Sequence, residues 1–153
     1  MMNNIFDRFE FDGAWFGETK VNFAGKDVDI EIEIDGYDDV QIPENSKTAL
    51  ISFLEDMDNI MPAVVESIFE YYHTTRKELG YDTEYNPDYP DYKNCEEILE
   101  TLQLVQITVP DQDDYSEPAI SLVFECDWDE EEGVGVCLVG NKVDEVGQQG
   151  IAL

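Results

Sequence analysis

Hydrophobic and polar residues alternate most cleanly between Val28 and Asp35. Val28, Ile30, Ile32 and Ile34 hold one parity, and Asp29, Glu31, Glu33 and Asp35 hold the other. A period of two sends the two sets to opposite faces of a strand, one buried and one wet. A weaker alternation runs from Trp15 to Phe23, with Trp15, Val21 and Phe23 against Glu18, Lys20 and Asn22. Phe9 and Phe11 alternate with charges ahead of an Asp12-Gly13 turn signal. Residues 5–35 therefore read as β structure. Closing a hairpin through Ala24-Gly25-Lys26-Asp27 sets Val21 opposite Ile30, Lys20 opposite Glu31 and Glu18 opposite Glu33, the last a like-charge pair of small cost.

The period changes over residues 46–79. Leu50, Phe53, Leu54, Met57, Met61, Val64, Val65, Ile68 and Tyr72 fall at steps of three and four, the stripe of a helix facing a core. Asn45 or Ser46 is expected to cap the start, and Gly80 to end the last turn. Pro62 interrupts the run, and a proline deep in a helix costs about 3 kcal/mol. Asp58 or Asn59 could cap a second helix with Pro62 in its first turn, whereas the unbroken stripe favours one kinked helix. The reading adopted is two helices.

Residues 81–94 form a loop rich in Tyr, Asp and Pro, and a short helix follows around Cys95 to Leu102. The rest is β-rich: a strand over Leu104 to Val109, an acidic loop from Pro110 to Pro118, and alternation of Ile120, Leu122, Phe124, Cys126 and Trp128. Val134, Val136 and Leu138 continue after DEEEG, and a last strand from Lys142 to Val146 follows a Gly140-Asn141 turn. Placing the apolar faces together pairs Trp128 with Val134, Cys126 with Val136 and Phe124 with Leu138. In that register Cys126 and Cys137 lie on opposite faces, so a disulfide between them is not expected. Strands, then helices, then strands define an α+β fold: an N-terminal antiparallel hairpin, a helical middle and a C-terminal antiparallel sheet. The length suits one domain over 1–153.

Charge narrows the functional classes. There are 37 acids against 8 bases, a formal net charge of −29, and residues 78–153 carry −18 of it. Such a field repels nucleic acid and anionic membranes and favours basic proteins. Solubility or a salty habitat explains the same charge equally well. A composition 42% hydrophobic allows a packed core and argues against disorder. The N-terminal residues show no secretory pattern, no apolar run approaches the roughly 20 residues that span a bilayer, and the odd cysteine count points to reduced thiols. A cytoplasmic location is the expectation.

Candidate chemistry is sparse. Asp111, Asp113, Asp114 and Glu117 begin like a calcium loop, but Ser116 stands where Gly is needed and Leu122 where Glu is needed. Asp127, Asp129 and Glu130 to Glu132 read as a solvated turn. His73, the single histidine, has no ligand set at zinc spacing, and Glu96-Glu97 offer Cys95 no activating cation. Gly133 and Gly135 flank a strand rather than a helix start, so no dinucleotide fingerprint is present. No catalytic residue, metal site or cofactor is assigned. The most suggestive surface is the segment YDTEYNPDYPDYKN, where tyrosines interleave with acids. Tyr85, Asp88, Tyr89, Asp91 and Tyr92 are its candidate partner-binding residues. The simpler reading is that these tyrosines pack over the sheet edge while the acids face water.

The segment DWDEEEGVGV followed by LVGNKVDEVG, Asp127 through Gly147, resembles the C-terminal signature of an acidic bacterial family of unknown function. FEYYHTTRKELG, residues 69–80, is similar to the middle of that family. The resemblance implies a small α+β domain without established catalytic residues, some of whose relatives resemble toxin-immunity proteins. The functional expectation is a non-enzymatic acidic binding protein, of the kind that neutralises a basic toxin by occupying a site built for phosphate. The alternative is a small enzyme or calcium-dependent module with an acidic site.

Overall fold

The computed structural model describes residues 2–36 and 41–152. Seven strands form one sheet in sequence order: β1 (Glu10–Phe11), β2 (Trp15–Phe23), β3 (Lys26–Ile34), β4 (Leu102–Val109), β5 (Ala119–Cys126), β6 (Val134–Val139) and β7 (Lys142–Gly147). Neighbours are antiparallel except β3 and β4, which run parallel. Parallel strands need a long crossover. Here it holds the helix α1 (Glu44–Glu78), the loop after it and the short helix α2 (Cys95–Leu99). The N-terminal hairpin and the C-terminal strands are therefore one sheet, and the helical middle is the link that joins them.

α1 is a single helix of 35 residues with Pro62 inside it, not two helices. Leu50, Phe53, Met57, Val64, Ile68 and Tyr72 are all buried, so the stripe continues past the proline without a break. Burying each such side chain is worth about 2 kcal/mol, which together exceeds the proline's cost several-fold. Pro62 itself is exposed. The carbonyl it leaves without a partner lies on the wet side of the helix, where water can satisfy it. Asn59 donates to Asp56 (2.7 Å) instead of capping. The start differs too: Pro43 is the capping position, Ser46 is buried, and Asn45 donates to Asp113 across the fold (3.3 Å). The end is as the sequence predicts. Gly80 takes φ +85, and Gly80 N–H and Tyr81 N–H donate to the carbonyls of Lys77 and Arg76. That pair of bonds is a Schellman closure, which glycine permits without steric cost.

Both hairpin registers differ from expectation. Val21 faces Val28, Thr19 faces Ile30, Lys20 faces Asp29 and Glu18 faces Glu31. The loop is only Ala24-Gly25, both at positive φ, so Lys26 and Asp27 join the strand. A slip of two preserves the faces, and Ile30, Ile32 and Ile34 point to the core. At the other end Phe124 faces Val134, Leu122 faces Val136 and Ile120 faces Leu138. The slip is four residues because β5 stops at Cys126 and residues 127–133 are all loop. Gly133 (φ +59) closes that loop, and a Cβ there would fall 2.4 Å from the Phe124 carbonyl oxygen. Cys126 and Cys137 keep opposite faces, and all three cysteines are free. Residues 5–8, read as β, belong instead to a 3-10 segment, Met2–Arg8. Phe9 then folds over Gly17, where a Cβ would sit 2.2 Å from its ring.

Pro62→Ala tests the single helix. Restoring the missing N–H donor in mid-helix should stabilise the protein by about 1–3 kcal/mol in urea unfolding. A proline in the first turn of a second helix would give no gain, or a loss.

Candidate functional site

The tyrosine-rich loop is built from the end of α1 upward. Tyr72 and Arg76 lie one turn apart, and Gly80 turns the chain back along the helix. The Tyr72 hydroxyl donates to the Pro90 carbonyl (2.6 Å). Arg76 donates through Nε to the Tyr89 carbonyl and through Nη2 to the Tyr81 carbonyl, each at 2.9 Å. His73 Nε2–H donates to the Tyr92 carbonyl (2.8 Å). One helix turn thus holds both ends of the loop by backbone carbonyls.

Aromatic packing adds to these bonds. Tyr89 stacks on Tyr72 with ring centroids 6.2 Å apart and meets Tyr81 at 5.0 Å. Tyr92 lies 5.1 Å from Tyr72. Trp128, from the loop after β5, contacts Tyr72 edge-on at 4.8 Å. The acid-rich stretch after β5 therefore turns its one large side chain inward while its carboxylates stay outside. Burial holds the phenols of Tyr72, Tyr89 and Tyr92 in their neutral form and pushes their pKa values up.

The structure divides the five residues predicted for partner binding. Tyr89 and Tyr92 are half-buried in the aromatic cluster. Asp91 is exposed and ion-paired, to Lys93 and, at 3.6 Å, to Arg76. The bond from Lys93 and the two nearby cations hold its carboxyl below the usual range. Asp88 is exposed, and its backbone N–H donates to the Asn86 side chain (2.9 Å). Tyr85 is 91% exposed at the tip. The anchors Tyr72, Arg76 and Trp128 are what the sequence reading missed. The spacing from Tyr72 to Arg76, four residues on one helix face ahead of a terminating glycine, is the signal for two of them. Nothing local marks Trp128.

The other candidates stay dispersed. Asp113 meets Asn45, and Glu117 covers Gly140 instead of converging with it. Among the described residues no three His, Cys, Asp or Glu side chains are grouped to hold a metal ion. Cys95 lines a cleft of about 570 Å³ with Met61, Pro62 and Val65, where the charged groups are Asp58 and Glu96. Cys126 is buried, and burial pushes its thiol up to about 11. A thiol of that kind is a poor nucleophile.

One long helix laid on a seven-stranded, mostly antiparallel sheet, with an ordered acidic loop at the helix end, defines the class as a mixed α+β domain. A family model described as a domain of unknown function, DUF6985, matches residues 5–153. The chain belongs to that family. Comparison with curated proteins and with solved structures found no match. Among the described residues no helix is long and apolar enough to cross a membrane.

Tyr72→Phe tests the anchoring. Losing the bond to the Pro90 carbonyl should cost about 1–2 kcal/mol at neutral pH. The pH dependence should change as well. Because the folded state raises the phenol's pKa above its ordinary 10.0, its contribution is complete below that pH. It is lost as pH climbs through the ordinary value towards the raised one. Urea unfolding near neutrality and at about pH 10.5 should show stability falling with pH in the parent protein, and falling less in the variant.

Proposed function

We propose that the protein is a non-enzymatic binding protein for a basic protein partner, and that the loop at residues 81–92 forms part of the contact. Tyr85 carries the reading: a large aromatic side chain held in water on a loop whose two flanks are fixed. Ordering a flexible loop at an interface opposes binding, and a loop already tied down by Arg76, Tyr72 and His73 avoids most of that cost. Tyr85 supplies an anchor, while Asp82, Glu84 and Asp88 around it supply steering towards a positive surface. Tyr89, Tyr92 and Asp91 act by holding the platform. The toxin-neutralising form of this function has its support in the family resemblance and in the charge of −29, since a carboxylate-rich surface can occupy a site shaped for phosphate.

A photo-crosslinking side chain at position 85 in the native host should capture a basic protein. With that partner in hand, Tyr85→Ala should raise its dissociation rate about tenfold. Asp82→Asn combined with Asp88→Asn should lower the association rate several-fold at low salt, and the loss should shrink as salt rises. If these variants leave both rates unchanged at low salt, the loop is not the contact.

A further inference from the structure

The sheet has two edges, and they are finished differently. β7 is bulged: Cys137 faces Glu145 but Leu138 faces Val143, so Asp144 is an extra residue. A bulge of this kind blunts an edge against further pairing. β2 pairs with β3 over nine residues without a bulge, and with β1 only at Trp15 and Phe16. In a two-residue hairpin the residues flanking the turn exchange both backbone bonds, and bonded pairs alternate from there. Phe23, Val21 and Thr19 therefore bond towards β3. Asn22, Lys20 and Glu18 direct their N–H and C=O groups away from it. Among the described residues no backbone partner meets them.

We infer that this edge of β2 accepts an extended, basic segment of a partner protein as an additional strand. Unused backbone donors and acceptors are a template for strand addition. Side chains on the core parity at this edge, Thr19 and Val21, are only half-buried, so apolar residues on an added strand would cover them. On the opposite parity the sheet is acidic. Glu10, Glu18, Glu31 and Glu33, against the single base Arg8, line an open cavity of about 490 Å³ beside the 43%-exposed Phe16. Among the described residues Glu18, Glu31 and Glu33 form no ion pair, while Lys20 is taken by Asp29 at 3.8 Å. Alternating basic and apolar residues therefore match the two faces. The same field disfavours a second copy of this chain, whose net charge of −29 would meet its like. The inference shares with the loop reading only the sign of the partner's charge. The two surfaces fail or stand separately.

The test uses a capped peptide of about eight alternating Lys and Val residues, and the same peptide N-methylated at alternate positions to block backbone pairing. Added to the 15N-labelled full chain at low salt, the first peptide should slow amide exchange at Glu18, Lys20 and Asn22 about tenfold, and the methylated one should bind at least about tenfold more weakly. Lys20→Pro places a proline where the N–H faces outward, so no sheet bond is lost. Charge attraction alone would make that variant bind more tightly, because a base is removed; strand addition makes it bind at least about tenfold more weakly. Tyr85→Ala should leave peptide binding unchanged. Equal binding of the two peptides, protection mapping elsewhere, or no binding at all would overturn the inference. If Lys20→Pro does not fold, the methylated peptide decides the question.

Discussion

The apolar face of the sheet has to be covered, and α1 is the element that covers it. Its stripe from Leu50 to Tyr72 packs on Ile107, Leu122, Phe124, Val136 and their neighbours in one continuous core. At 1.5 Å per residue the helix is about 52 Å long, enough to run past the sheet. Several other features follow from that one contact. It fixes Pro62 inside the helix. It supplies the long connection that lets β3 and β4 lie parallel. It also carries Tyr72 and Arg76 to the place where the chain turns at Gly80, so the geometry of the 81–92 loop is inherited from the core.

The charge is kept out of this arrangement. None of the buried side chains among the described residues is ionised; the buried polar ones are Ser46, Thr108, Gln112 and Ser121. Four ion pairs involving bases are present among the described residues, against 37 acids in the chain. Most carboxylates therefore face water without a cation. Self-repulsion is tolerable because water and salt screen each exposed group. The core does not have to compensate buried charge, and the surface remains strongly negative.

The strands and the long helix were legible because their periods are clear. Val28 to Ile34 has period two, and Leu50 to Tyr72 falls at steps of three and four. What failed were features decided by competition between segments. The Ala24-Gly25 turn is two residues because Lys26 prefers a place opposite Phe23 to a place in the loop, and alternation alone is blind to a slip of two. Trp128 continues the alternation of β5 in sequence but leaves the strand to pack on Tyr72. The joining of β3 to β4 pairs residues 75 positions apart, such as Ile32 with Ile107, and no local pattern encodes that. The loop site was half legible. Its composition drew attention to Tyr85 and Asp88, but the same composition could not separate them from Tyr89 and Tyr92, whose neighbours come from the helix and from the far end of the sheet.

The second face of the sheet shows the same logic in smaller form. Over β5 to β7 it is covered around Gly135, Ser121 and Val123, while Glu125 and Glu145 at its margins stay exposed. Gly135 and Gly147 face each other there, and the C-terminal 3-10 segment Gln149–Ala152 lies on them. A Cβ at Gly135 would meet the Gln148 carbonyl oxygen at 2.9 Å and the Ala152 methyl at 3.0 Å, so the close approach requires glycine. Val123 and Ser121 are buried beneath this cover. Over β2 to β4 the same face carries Glu18, Glu31, Glu33 and Gln106, which line an open cavity bordered by Arg8 and Glu10. Residues of that kind are costly to bury without cations, so the chain's own acidic segments are poor covers for them. The division into a self-covered half and an open half is therefore written in residue type. Glycine, valine and serine beneath residues 149–152 accept that segment, and glutamate on the other half reserves the surface for solvent or for a positively charged partner.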